Sequence, residues 1–109
     1  MNKFESELKT GNFVTSECNH CNRVVWPPSD YCDKCFQNVN WRKISKNGTI
    51  IELSKKENDV FCISEFENKI RIMGKLDAQI DMAKPGQKVK LIKCLFNGKN
   101  CFFFSLENN

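Results

Sequence analysis

The chain has little of what catalytic sites are usually built from. It contains one histidine, His20, and that residue sits between two cysteines, which removes the commonest general base from any open site. There is no Gly-rich phosphate loop, no G-x-S-x-G elbow, and no nucleophile beside an evident activator. No apolar run approaches the roughly 18 residues that a membrane-spanning helix requires. Repeats and low-complexity tracts are absent as well. The opening MNKFESELKT lacks both a basic n-region and an apolar h-region, so no secretory leader is expected. These absences predict a cytoplasmic protein that is not an enzyme and has no catalytic residues.

Cysteine, by contrast, is plentiful. Four of the seven cysteines form two C-x-x-C pairs, Cys18/Cys21 and Cys32/Cys35, with ten residues between the pairs. Each C-x-x-C turn lets two sulfurs from one tight loop reach the same ion, and two facing knuckles close a tetrahedral cage. The pattern predicts one structural Zn2+ per chain, held by Cys18, Cys21, Cys32 and Cys35. Iron in a rubredoxin-like site and a redox or disulfide role are the alternatives. An odd cysteine count in a reducing compartment counts against bridges. His20 reads as a bystander, since four thiolates already satisfy zinc. Cys62, Cys94 and Cys101 fall within apolar strands and read as small core or sheet residues.

Net charge is modest and unevenly divided. Seventeen basic against thirteen acidic side chains give +4. Residues 1–40 hold four basic (Lys3, Lys9, Arg23, Lys34) against five acidic, a net of −1, and residues 41–109 hold thirteen against eight, a net of +5. Four thiolates around one divalent ion add −2, which lowers the chain from +4 to +2. A dedicated nucleic-acid binder shows a stronger basic footprint. Single-stranded nucleic acid is therefore the weaker functional alternative, with Arg42, Lys43, Arg71 and Lys75 as its charges and Phe61 or Phe66 as its stacking platforms.

Along the chain, the first ten residues predict a short helix. Asn2 is its N-cap, Glu5 completes a capping box, and Gly11-Asn12 ends it. Phe4 and Leu8 lie at i and i+4 on one face, which must pack either on the rest of the chain or on a partner. The loop NRVVWPPSDY between the knuckles is stiffened by Pro27 and Pro28, with Trp26 extended before them. Residues 1–40 are too poor in aliphatic side chains to bury a core, and metal binding takes the place of one.

From Trp41 onward the pattern is all-β. Trp41–Ser45 and Thr49–Lys55 read as a hairpin about Lys46-Asn47-Gly48. Asp59–Phe66 follows, joined by Glu67-Asn68-Lys69 to Ile70–Leu76. In the latter Ile70, Ile72, Gly74 and Leu76 face one way and Arg71, Met73 and Lys75 the other. After the turn Ala83-Lys84-Pro85-Gly86, Lys88–Phe96 places Val89 and Leu91 inward, and Asn97-Gly98 turns into Cys101–Leu106. Phe102, Phe104 and Leu106 point in. Phe103 points out, either covered by the ribbon or the helix or left as a contact surface. The fold class is mainly β: a helix and rubredoxin-like ribbon over 1–40, then a small OB-type barrel over 41–109.

The order of short helix, C-x-x-C, Trp26-Pro27-Pro28, second C-x-x-C, Trp41, Gly48 and Pro85-Gly86-Gln87-Lys88-Val89 resembles the small zinc-ribbon/OB-fold acyl-CoA-associated proteins. That family often has Gly after the first knuckle, where this chain has Asn22. The resemblance implies a non-catalytic scaffold partner of thiolase-superfamily enzymes. Archaeal members bridge acetoacetyl-CoA thiolase and 3-hydroxy-3-methylglutaryl-CoA synthase and help pass acetoacetyl-CoA into the mevalonate pathway. Bacterial relatives attach to hydratases or aldolases acting on steroid side-chain CoA esters. A CoA ester is thus a candidate ligand, with no residues assigned to it.

Overall fold

Local capping starts the molecule as the sequence predicts. The computed structural model describes residues 2–107. In helix α1 (Lys3–Lys9) the Asn2 side chain accepts from the Glu5 N–H at 2.8 Å, and the Glu5 carboxylate accepts from the Asn2 N–H at 3.1 Å. Each side chain thereby satisfies a donor that the helix start leaves open. Gly11, at φ +86°, supplies the left-handed residue that ends the turn. Seven residues are too few to stand alone. Phe4 and Leu8 are accordingly buried, in one apolar cluster with the barrel strands. Of the two readings of this apolar face, internal packing is the one realised.

Strand β1 (Val14–Cys18) is flanked by β2 (Val24–Val25) and β3 (Val39–Lys43), both antiparallel to it, making the three-stranded ribbon sheet. The barrel follows as β4 (Asn47–Lys56), β5 (Asp59–Phe66), β6 (Ile70–Asp77), β7 (Lys88–Phe96) and β8 (Asn100–Leu106). These close in the order β4-β5-β6-β8-β7, antiparallel at every junction except β6–β8. Closure pairs both edges that an open sheet would expose. The mainly β architecture expected from the sequence, a short helix and a ribbon followed by a small closed barrel, is the one observed.

The hairpin expected at Lys46-Asn47-Gly48 does not form. Residues 39–43 pair instead with β1, from Val14↔Lys43 to Cys18↔Val39, so the ribbon sheet runs past the expected boundary at residue 40. Asn47 and Gly48 lie inside β4, opposite Lys90 and Val89. Gly48 is required here by crowding and not by a turn: a Cβ would stand 2.7 Å from Cε2 of the Phe66 ring. Its φ is not in the left-handed range that an Asn-Gly hairpin needs. The turn at Glu67-Asn68, both with positive φ, and the one at Gly98 are as expected.

Alternation puts Val60, Cys62, Ser64 and Phe66 of β5 and Ile70, Ile72, Gly74 and Leu76 of β6 inside. Strict alternation along β7 would drive Lys93 into the core. A register shift between Leu91 and Lys93 prevents this, keeping Lys93 outward beside Ile92 and burying Cys94. Phe102 and Phe104 are buried and Leu106 is half-buried. Phe103 is half-buried beneath Lys93, whose Nζ stands 6.0 Å from the ring centroid.

Candidate metal centre

Each knuckle is a turn pinned by backbone hydrogen bonds that follow the same pattern. In the first, the Cys18 N–H donates to Arg23 O at 2.9 Å and the Asn22 N–H donates to Cys18 O at 2.8 Å. In the second, the Cys32 N–H donates to Gln37 O at 3.0 Å and the Phe36 N–H donates to Cys32 O at 2.9 Å. The residue following each second cysteine is left-handed, Asn22 at φ +55° and Phe36 at φ +62°. Asn accepts this region readily, whereas it costs an ordinary L-residue roughly 1–2 kcal/mol. The Gly position of the resembling family is thus occupied in the first knuckle by the residue best able to replace Gly.

The four sulfurs predicted from spacing come together. Sγ of Cys18, Cys21, Cys32 and Cys35 all lie within 4.8 Å of one another, with Cys18 and Cys35 at 3.4 Å. A tetrahedron with metal–sulfur bonds of about 2.3 Å has edges of about 3.8 Å, so the cluster fits a single ion. None of the seven cysteines, all among the described residues, is joined in a disulfide. Cys18 and Cys32 are fully buried, and Cys21 and Cys35 half-buried.

The electrostatics of the cluster call for a cation. Backbone N–H groups of Cys35 and Lys34 donate to the Cys32 sulfur and hold its thiol down to about 6. Cys21 is pushed up to about 12, chiefly by its hydrogen bond with the Cys35 thiol and then by burial. Four thiolates this close repel one another, and a divalent ion at their centre cancels that repulsion. The donor set fits one structural zinc. Cys18, Cys21, Cys32 and Cys35 would fill its tetrahedron, leaving no position for water or substrate. His20 is exposed and outside the cluster.

The ribbon is locked to the barrel by one aromatic chain and one ionic fork. Trp26 meets Phe4 and Phe13 edge-on at 5.6 and 6.4 Å, and Phe13 meets Phe66 and Phe102 at 5.6 and 5.5 Å. Trp26-Pro27 is a cis peptide. Arg42 of β3 donates to both Glu67 oxygens, at 2.7 and 3.0 Å, and to Glu17 at 3.1 Å. This fork holds the Glu67 carboxyl below the usual carboxylate range. Lys69 Nζ reaches Val24 O at 2.7 Å across the same junction.

Of the groups on which nucleic-acid binding would draw, most are engaged within the chain, while Lys43 is exposed and Phe61 half-buried. Phe66 is fully buried, Arg42 is engaged by two carboxylates, Arg71 by Glu65 at 2.8 Å and Lys75 by Asp59 at 3.1 Å. Cys62 and Cys94 are buried as expected and Cys101 is half-buried. Among the described residues, every buried side-chain nitrogen or oxygen has a hydrogen-bond partner. Sequence reasoning missed the exposed aromatics of the second knuckle, Tyr31 and Phe36. The place of Phe36, equivalent to Asn22, was the signal available.

Comparison with known proteins finds a zinc ribbon at the same end of the chain. Residues 6–38 match the family model described as ChsH2, rubredoxin-like zinc ribbon domain. No curated protein matches the chain in sequence. Among solved structures, the "Ltp2-ChsH2(DUF35) aldolase" superposes with a TM-score of 0.75 at 16% identity, covering 97% of this chain and 96% of that one. A protein of the DUF35 family from Sulfolobus solfataricus gives 0.69 at 19% identity, covering 96% of this chain and 83% of that one. The likeness is one of fold over nearly the whole chain, and of sequence over a ChsH2-type zinc ribbon at residues 6–38.

Proposed function

We propose that the protein is a non-catalytic, zinc-stiffened scaffold subunit of an enzyme assembly that processes acyl-CoA thioesters. The observation that carries this reading is the saturated four-cysteine centre, which has no open position for chemistry, in a chain whose single histidine is exposed beside it. The similar Ltp2-ChsH2(DUF35) aldolase, in which a chain of this fold accompanies a second subunit, supports the same reading. At finer grain, the partners are acetoacetyl-CoA thiolase and 3-hydroxy-3-methylglutaryl-CoA synthase. Holding the two enzymes together raises the effective concentration of one active site near the other and speeds passage of acetoacetyl-CoA. A groove of about 610 Å³ on the barrel, lined in part by Phe103, Ile92 and Lys93, and also by Asp59 and Asp77, offers apolar surface and one ammonium group outside the Lys75–Asp59 pair to part of a CoA ester.

Affinity purification of the tagged protein from its native host tests the proposal. A thiolase-superfamily enzyme should co-elute, and the protein freed of it should show no thiolase, hydratase or thioesterase turnover. Robust turnover by the protein alone, or elution with no enzyme of acyl-CoA metabolism, overturns the reading.

A further inference from the structure

The four sulfurs of the metal centre are not equivalent. Cys18 and Cys32 are fully buried, whereas Cys21 and Cys35 are half-buried and reach the surface. Backbone donors then separate the two that are accessible. The Cys21 N–H donates to the Cys18 sulfur at 3.3 Å, the Lys34 N–H to the Cys32 sulfur at 3.4 Å, and the Gln37 N–H to the Cys35 sulfur. Arg23 stands in the first knuckle where Gln37 stands in the second. Its N–H makes no bond to the Cys21 sulfur, and neither does any other backbone N–H among the described residues. Asn19, His20 and Asn22 on either side of Cys21 are exposed, so the knuckle leaves the approach to this sulfur open. A hydrogen bond to a thiolate stabilises charge on sulfur and lowers its nucleophilicity, and burial keeps reagents away. Cys21 has neither a backbone donor nor full burial.

We infer that Cys21 is the oxidation site of the metal centre, the sulfur that a hydroperoxide attacks first and through which the ribbon loses its metal. This rests on the four-cysteine zinc reading and is independent of the scaffold reading. The Cys21 thiolate attacks the outer oxygen of the hydroperoxide. An S–O bond forms, the O–O bond breaks, and the departing oxygen takes a proton from solvent and leaves as alcohol or water. Cys21 is then a sulfenic acid. The other three sulfurs all lie within 4.8 Å of it and of one another, so a second thiolate is at hand. That thiolate attacks the Cys21 sulfur, an S–S bond forms, and hydroxide is expelled and protonated to water. Two electrons pass from two thiolates to the O–O bond. Two of the four ligands are thereby lost as thiolates, and only thiolates hold the ion. The ribbon's own buried cluster is no more than Cys18, Val25 and Cys32, so loss of the metal loosens the ribbon. The barrel strands keep their larger apolar cluster and stay folded.

The test uses the full-length, zinc-loaded protein carrying Cys101→Ser, which removes the half-buried thiol outside the centre. The wild-type protein, with adducts at Cys101 counted separately, repeats the measurement. Hydrogen peroxide is added with excess dimedone, which traps sulfenic acids, and the adducts are mapped by peptide mass spectrometry. Cys21 should carry the first adduct and should react at least about fivefold faster than Cys35, the factor that one hydrogen bond is worth. Without dimedone the first disulfide should contain Cys21, and its formation should keep pace with release of zinc to a chelating dye. Dithiothreitol followed by zinc should restore the loaded protein. First oxidation at Cys18, Cys32 or Cys35 overturns the inference, as do equal rates at Cys21 and Cys35. Zinc kept by chains already oxidised at Cys21 overturns it too, and so does oxidation of the buried Cys62 or Cys94 ahead of all four ligands. None of these outcomes touches the scaffold reading, which stands or falls on co-elution.

Discussion

Leu8→Ala separates a helix that serves the protein's own core from one that serves a partner. Leu8 is fully buried in the cluster that also holds Phe13, Val89 and Leu91, and α1 lies against β7. Removing three carbons at about 0.8 kcal/mol each loses about 2.4 kcal/mol of transfer free energy. The cavity left behind raises the total to about 3–4 kcal/mol, inside the usual range for buried Leu→Ala. An unfolding entropy of about 2.1 cal/mol/K per residue gives about 0.23 kcal/mol/K for the 109-residue chain. The midpoint should therefore fall by about 13–17 °C. Thermal unfolding followed by circular dichroism on the zinc-loaded protein reads this directly. A midpoint within about 3 °C of wild type, together with weakened binding of the partner enzyme, would show that the α1 face belongs to an interface and that the packing argument is wrong.

Three further outcomes follow from the structure. Gly74→Ala should be among the most damaging single substitutions, because its Cβ would stand 2.5 Å from the Phe102 carbonyl oxygen and 2.6 Å from the Phe104 ring; soluble expression with an unchanged denaturation midpoint would contradict this. The protein as isolated should carry one zinc, and Cys32→Ser should lose it and remove hydrogen-exchange protection across residues 14–43, while β5 and β7 stay protected, because only Cys18, Val25 and Cys32 form the ribbon's own buried cluster. Zinc retained by that variant, or a red protein containing iron, defeats the prediction. Glu67 is held below its ordinary value of 4.5 by Arg42, so its contribution is present above about pH 4.5 and is lost as pH falls through its lower folded value. The stability difference between wild type and Glu67→Gln should then be flat above about pH 5 and shrink below it, and a difference that grows on acidification refutes the assignment.

Features governed by near neighbours were legible in the sequence. The capping box at Asn2 and Glu5, the β6 alternation, the Asn97-Gly98 turn and the pairing of sulfurs within each C-x-x-C all depend on residues a few positions apart. The spacing also named all four cysteines of the metal centre, because two knuckles of this form have few ways to meet other than around one ion.

Tertiary structure decided whatever depended on distant partners. Asn47-Gly48 carries a strong local turn signal, yet β1 claims residues 39–43 and the Phe66 ring claims the space at Gly48, so the local preference is overruled by packing. Phe4 and Leu8 look the same in sequence whether they face a barrel or a partner, and only the arrangement around β7 assigns them to the core. Phe36 shows the opposite case. Its type says core, but the knuckle's hydrogen bonds fix its φ and turn the ring into solvent. The sequence by itself marked the helix cap, the alternating strands and the sulfurs paired within each knuckle, since those are short-range properties of the chain. Which apolar faces are buried and which are left for a partner is a long-range property, set only when ribbon and barrel close on each other.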